Sequence, residues 1–255
     1  MPHKNWTREE HILAFNLYCR IPFGKTHKGN PNIIELAALL NRSPSSVGMK
    51  LGNFARLDPA LQSRGIKGLS NGAKGEVEVW EEFKRQPEEL AYESQTLRAQ
   101  KMGISVEKLA SITMTELPAE GQERRAIVKQ RVNQSLFRER ILSAYNNKCC
   151  ITGLSIPTLL IAGHIIPWSK DKKNRLNPKN GLCLNMLHDK AFDRGLMWID
   201  DNFTIHYRDD FFESSSSKSE VTQWLESYQG RQLILPDGFR PSREFLKSHA
   251  KEAMA

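Results

Sequence analysis

Apolar residues fall at helical spacing through most of the first half of the chain. Ile12, Leu13, Phe15, Leu17 and Tyr18 predict a helix that Thr7 opens, with Glu10 three residues on as its capping-box partner. Pro22-Phe23-Gly24 ends it, and Asn32 precedes a second compact run, Ile33, Ile34, Leu36, Ala37, Leu39 and Leu40. After a short turn at Asn41-Arg42, Ser43-Pro44 offers a capping hydroxyl and a proline at the first helical position. Val47, Leu51, Phe54 and Ala55 then line one face of a third helix. Gly65 to Gly75 reads as a loop, Glu76 to Arg85 and Glu88 to Lys101 as helices, and Glu123 to Tyr145 as one long helix. Beyond it the period changes. Short apolar runs at Leu159–Ala162 and Gly181–Leu184 predict strands, as do Leu196–Ile199 and Phe203–Tyr207 around the polar turn Asp200-Asp201-Asn202. Val221–Tyr228 and Ser242–Ala253 return to helix, and Ser214–Ser217 is a low-complexity run.

The expected class is therefore α+β. The pattern divides it into a helical region at residues 1–85, linker helices at 86–123 and a mixed domain at 124–255. Gly103, Pro118 and Gly121 break up the linker. The first three helices, with a tight turn before the last, resemble a helix-turn-helix module. In that arrangement the polar strip Ser46, Lys50, Asn53 and Arg56 would meet DNA in the major groove. A plain helical packing or oligomerisation domain fits the same pattern.

The most informative stretch is Leu159 to Gly195. An apolar run ends on His164, a lysine-rich loop leads to Asn180 and a second apolar run, and His188 and Asp193 follow on a short helix. Together with Cys150-Ile151-Thr152-Gly153, His164-Ile165-Ile166-Pro167-Trp168-Ser169, Asn177-Pro178-Lys179-Asn180-Gly181-Leu182 and Phe192-Asp193, this order resembles the HNH endonuclease family, specifically a restriction-type subgroup. The resemblance implies a ββα unit gripping a divalent metal, Mg2+ or Mn2+, and hydrolysing DNA phosphodiesters. It assigns His164 as general base and His188 as metal ligand. Asn180 would bind the metal or hold the loop that aims His164, and Asp193 would support His188 or join the ligands. Many members carry Asp or His just before the base, where this chain has Gly163.

Charge sharpens this picture. Net charge is +8, divided as +5 over residues 1–85, −4 over 86–123, +10 over 124–195 and −3 over 196–255. Positive charge collects on the helical region and on the motif, which suits a polyanion such as DNA. Arg131 and Arg138 on the long helix and Lys172, Lys173 and Arg175 in the loop are candidate phosphate contacts, with a solvated basic surface as the alternative. Cys19, Cys149, Cys150 and Cys183 form no CxxC pairs, so a four-cysteine zinc site is not expected, and Cys183 reads as core. No apolar run approaches a membrane span or a signal peptide, so a cytoplasmic protein is the expectation. One HNH unit cuts one strand, so a double-strand break needs two visits or two copies, which a homodimer would supply. Two other readings remain open at this level. One is a DNA-binding regulator whose HNH unit is inactive, suggested by Gly163; the other is an RNA-directed or toxin-type nuclease.

Overall fold

The computed structural model describes residues 5–21, 23–63, 65, 72–113, 117–213, 219–236 and 239–254, and divides into two units, Met1–Leu136 and Phe137–Ala255. Most of the expected Gly65–Gly75 loop and all of Ser214–Ser217 lie outside the described residues.

In the first unit, α1 (Arg8–Arg20) begins with the expected capping box: the Thr7 hydroxyl accepts from the Glu10 amide and the Glu10 carboxylate from the Thr7 amide. Asn30 caps α2 (Pro31–Leu40), two residues earlier than the apolar run suggested, and Asn41 closes it in the left-handed region at φ 51°. Ser43 then caps α3 (Pro44–Ala55). A single turn, α4 (Pro59–Gln62), precedes α5 (Lys74–Phe83) and α6 (Pro87–Met102), and another short turn, α7 (Val106–Leu109), follows. Ile12, Phe15, Ile33, Leu36, Val47, Leu51, Phe54, Val79, Phe83 and Leu90 form the core, with Phe15 and Phe54 stacked 4.9 Å apart. Each such side chain contributes about 1.5–3 kcal/mol by leaving water.

The acidic segment is not a linker. Leu90 of α6 lies in this core, Asn16 of α1 donates to Ser94 at 2.9 Å, and Arg98 pairs with Glu35 of α2 at 2.5 Å. Of its acidic groups, Glu89 pairs with Lys129, Glu93 with Arg8 at 2.9 Å and Glu107 with Arg124 at 3.1 Å. That is why its composition resembled a separate spacer although it packs as part of the first unit.

The long helix α8 (Gln122–Ala144) crosses from the first unit to the second, so the division falls within it rather than at its start. In the second unit its last turns back a hairpin, β1 (Leu160–His164) and β2 (Gly181–Asn185). The strands are antiparallel in a register from Leu160↔Asn185 to His164↔Gly181. A Cβ at Gly181 would lie 2.4 Å from the Ile141 side chain and 2.8 Å from the Phe137 ring, so only glycine lets α8 approach the strand this closely. Asn185 caps α9 (Met186–Asp193), and a second hairpin follows, β3 (Met197–Ile199) paired with β4 (Ile205–Tyr207). Asp200 makes its turn by accepting from the Asn202 and Thr204 amides. The helices α10 (Asp209–Glu213), α11 (Glu220–Glu226) and α12 (Arg243–Ala253) complete the unit, with Leu246 of α12 fully buried. Cys183 is buried in β2, and all four cysteines are free thiols.

Candidate active site

His164 ends β1, where its imidazole lies flat on Phe137 of α8 at 3.7 Å and meets the edge of Trp168 at 5.5 Å. Its Nε2 is 2.9 Å from the Arg175 carbonyl oxygen. A carbonyl can only accept, so Nε2 carries the proton and the neutral ring keeps its lone pair on Nδ1. Burial holds the ring below its ordinary pKa, against the opposing pull of that carbonyl. His164 is thus an oriented imidazole that favours its neutral form, with its lone pair on Nδ1.

The loop between the strands is built to hold this arrangement. Asn180, fully buried, accepts from the Ile166 amide at 2.8 Å and donates to the Ile166 carbonyl at 3.1 Å and the Asn174 carbonyl at 3.3 Å. Its amide oxygen and nitrogen both bond backbone, so Asn180 braces the loop. Asp171 caps the turn Lys172–Asn174 through the amides of Lys173 and Asn174. The Arg175 guanidinium lies 5.0 Å over the Trp168 ring, and its Nε donates to the Trp168 carbonyl at 2.8 Å. Arg175 is therefore part of the loop's frame rather than an outward clamp, whereas Lys172 and Lys173 are exposed.

His188 does not meet this site. It is completely buried, its Nδ1 accepts from the Asn185 side chain at 2.8 Å, and its ring packs near Trp224, Tyr228 and Tyr207. Desolvation depresses its pKa to about 4, and its Nε2 has no partner. Asn185 also anchors the neighbouring turn: its amide reaches Cys149 Sγ at 3.3 Å, and that sulfur accepts as well from the Ile151 and Thr152 amides. His188, Asn185 and Cys149 thus form an internal clasp between α9 and the turn that precedes β1.

The next residue, Asp189, lies against β1. A Cβ at Gly163 would lie 2.6 Å from Asp189 Oδ1, so the carboxylate occupies the space a side chain at position 163 would need. Burial, together with the nearby Asp193 charge, raises the Asp189 pKa to about 6, and Lys190 offsets part of that. Asp193 stands four residues on, on the same helix face and exposed. Sequence reasoning missed Asp189 because His188 drew the motif. The available signal was its i, i+4 relation to Asp193 combined with the vacancy at Gly163.

The remaining expected DNA contacts divide sharply. Lys50 is buried and pairs with Glu76 of α5, to which Asn53 also donates at 2.9 Å, and Arg56 approaches its other oxygen at 3.6 Å. This strip of α3 faces α5, because a fully buried Glu76 needs cationic partners. Ser46 is half-buried beside a cleft with Trp6 and Arg42. Arg138 donates to the carbonyls of Leu160 at 2.6 Å and Pro157 at 2.9 Å, fixing the head of β1. Arg131 is exposed.

The hairpin β1–β2 followed by α9, with His164 at the end of β1 and Asp189 of α9 against Gly163, makes a ββα unit. Residues 149–200 of the chain match the HNH_2 family model, described as HNH endonuclease, so this segment is similar to HNH endonuclease domains. No curated protein matches the chain. Among the described residues no helix is long and apolar enough to cross a membrane, and no three acidic, histidine or cysteine side chains form a ready metal cage.

Proposed function

We propose that the second unit is a divalent-metal-dependent endonuclease that hydrolyses DNA phosphodiesters to 5′-phosphate and 3′-hydroxyl ends. The observation that carries this reading is the His164 imidazole, held at Nε2 by the Arg175 carbonyl so that Nδ1 is left as the base. His164 Nδ1 takes a proton from water, the water oxygen attacks phosphorus, and the bond to the 3′ oxygen breaks, with that oxygen taking a proton from solvent.

Asp189 and Asp193 fit Mg2+ or Mn2+. They are hard oxygen donors on one helix face; burial, and after it the Asp193 charge, raises the Asp189 pKa, and a bound cation would favour its ionised form. Bound there, the metal would neutralise charge on the phosphate and the departing oxygen. Asn180 and Arg175 keep the base aimed, and Asp171 keeps the exposed Lys172 and Lys173 on an ordered turn where a phosphate can be met.

A helical unit joined to a nuclease unit supports a restriction-type or phage-defence role, with the first unit contributing DNA affinity. The strip of α3 that faces α5 is withdrawn from that role, leaving exposed groups such as Arg131. The Asp189 carboxylate beside Gly163 supports the active reading over that of an inactive regulator.

Incubation of supercoiled plasmid with Mg2+, Mn2+ or EDTA tests the reading. Nicking should require the metal and vanish in His164→Ala. A wild type inert with both metals, or a folded His164→Ala protein that nicks at the wild-type rate, would overturn it.

A further inference from the structure

Helix α12 lies beyond the segment that matches the HNH model, yet it contacts the loop between β1 and β2 and the end of α9. The Ser242 amide at its start donates to the Lys179 carbonyl at 2.9 Å, next to Asn180. Glu252 near its end pairs at 2.6 Å with Lys170, in the loop that follows His164. Between them, His249 reaches the end of α9. Its ring lies flat on Phe192 at 3.7 Å and 4°, and its Nε2 is 3.0 Å from the Phe192 carbonyl oxygen, so Nε2 is the donor. That carbonyl also accepts from the Gly195 amide at 3.0 Å. The Lys170–Glu252 pair is half exposed and contributes little. His249 is the side chain that combines packing with a directed hydrogen bond.

Phe192 stands immediately before Asp193 and three residues after Asp189. The last turn of a helix frays unless its carbonyls find donors, and α9 is only eight residues long. We propose that His249 is a positioning residue of this centre, fixing the final turn of α9 and through it the Asp189 and Asp193 carboxylates. The role rests on reading those carboxylates as the pair that holds the cation. Partners behind metal ligands commonly change metal affinity about 10–100-fold when removed.

Three variants separate the components. His249→Gln keeps an N–H near the position of Nε2, His249→Phe keeps the stacked ring without a donor, and His249→Ala loses both. Binding of Mn2+ would be followed by loss of the free-ion EPR signal, and the end of α9 by amide hydrogen exchange at Gly195, alongside thermal melting. His249→Phe should weaken Mn2+ binding about tenfold and speed Gly195 exchange, with little change in melting temperature, whereas His249→Gln stays close to wild type. Wild-type Mn2+ affinity in His249→Phe would overturn the proposal. So would a His249→Gln protein as impaired as His249→Phe, since packing alone would then explain the contact. A wild type that binds Mn2+ in a His249-dependent way but never nicks plasmid would sink the nuclease reading and leave the positioning role standing. A wild type that binds no Mn2+ would overturn both.

Discussion

At the scale of residues, neighbours on one helix have opposite fates. His188 faces inward to an aromatic setting, whereas Asp189 lies against β1, because successive helical positions diverge by roughly 100°. Asp189→Asn should therefore weaken Mn2+ binding and cleavage by at least about tenfold while leaving the melting temperature nearly unchanged. His188→Ala should instead destabilise the second unit by about 2–4 kcal/mol, through the cavity and the unpaired Asn185 amide. Calorimetric Mn2+ titrations and thermal melts of the two variants decide this. An Asp189→Asn protein with full metal affinity would return the ligand role to His188. Acid stability gives a second handle on the same residue. The His188 pKa falls from the ordinary 6.5 to about 4, so burial of its neutral ring adds stability above pH 6.5 that is lost as pH falls toward 4. The full effect is about 3 kcal/mol at order of magnitude. Without metal, the melting temperature should drop between pH 7 and pH 5, and the drop should shrink in His188→Phe. Equal drops in both proteins would show that His188 is not the group being titrated.

At the scale of elements, much of the chain was legible because local chemistry and periodicity agreed. Thr7 and Ser43 cap where their hydroxyls predicted, α8 keeps its apolar stripe, and the two apolar runs pair as the hairpin that ends on His164. What misled was the assumption that a polar face points to solvent. In α3 the amphipathic pattern identified the apolar side correctly, but Lys50, Asn53 and Arg56 turn to a buried carboxylate from α5. Nothing local to α3 announces that partner, which lies more than twenty residues away. Replacing Glu76 would strand the buried Lys50 charge, so Glu76→Gln should cost about 3–5 kcal/mol in the first unit. Unfolding in urea measures it. A loss below 1 kcal/mol, on the order expected of an exposed pair, would mean that the cluster is solvated and α3 free to contact DNA.

At the scale of the whole molecule, the charge map suggested two basic bodies joined by an acidic spacer, and the structure divides the chain elsewhere. Residues 87–102 belong to the first unit's core, while the last turns of α8 hold His164 through Phe137 and brace β1 through Arg138. A fragment of residues 122–255, which keeps α8 whole, should fold and nick plasmid. One starting at residue 146 should lose activity because the ring under His164 is gone. The shorter fragment nicking as well as the longer would show that α8 does not support the base. Comparison of the longer fragment with the full chain at two salt concentrations tests the first unit. Loss of affinity with a shallower salt dependence is expected if that unit contacts phosphates.

The sequence by itself determined the elements, their caps, the strand that ends on His164 and the chemistry its motif implies, because these follow from residue type and short-range spacing. Only the tertiary structure decided which charged groups are spent internally, that Asn180 braces the loop, and that Asp189 rather than His188 fills the space beside Gly163. Those outcomes depend on which side chains from distant elements compete for the same buried space. One-dimensional spacing fixes the face of a helix but not what is packed against it.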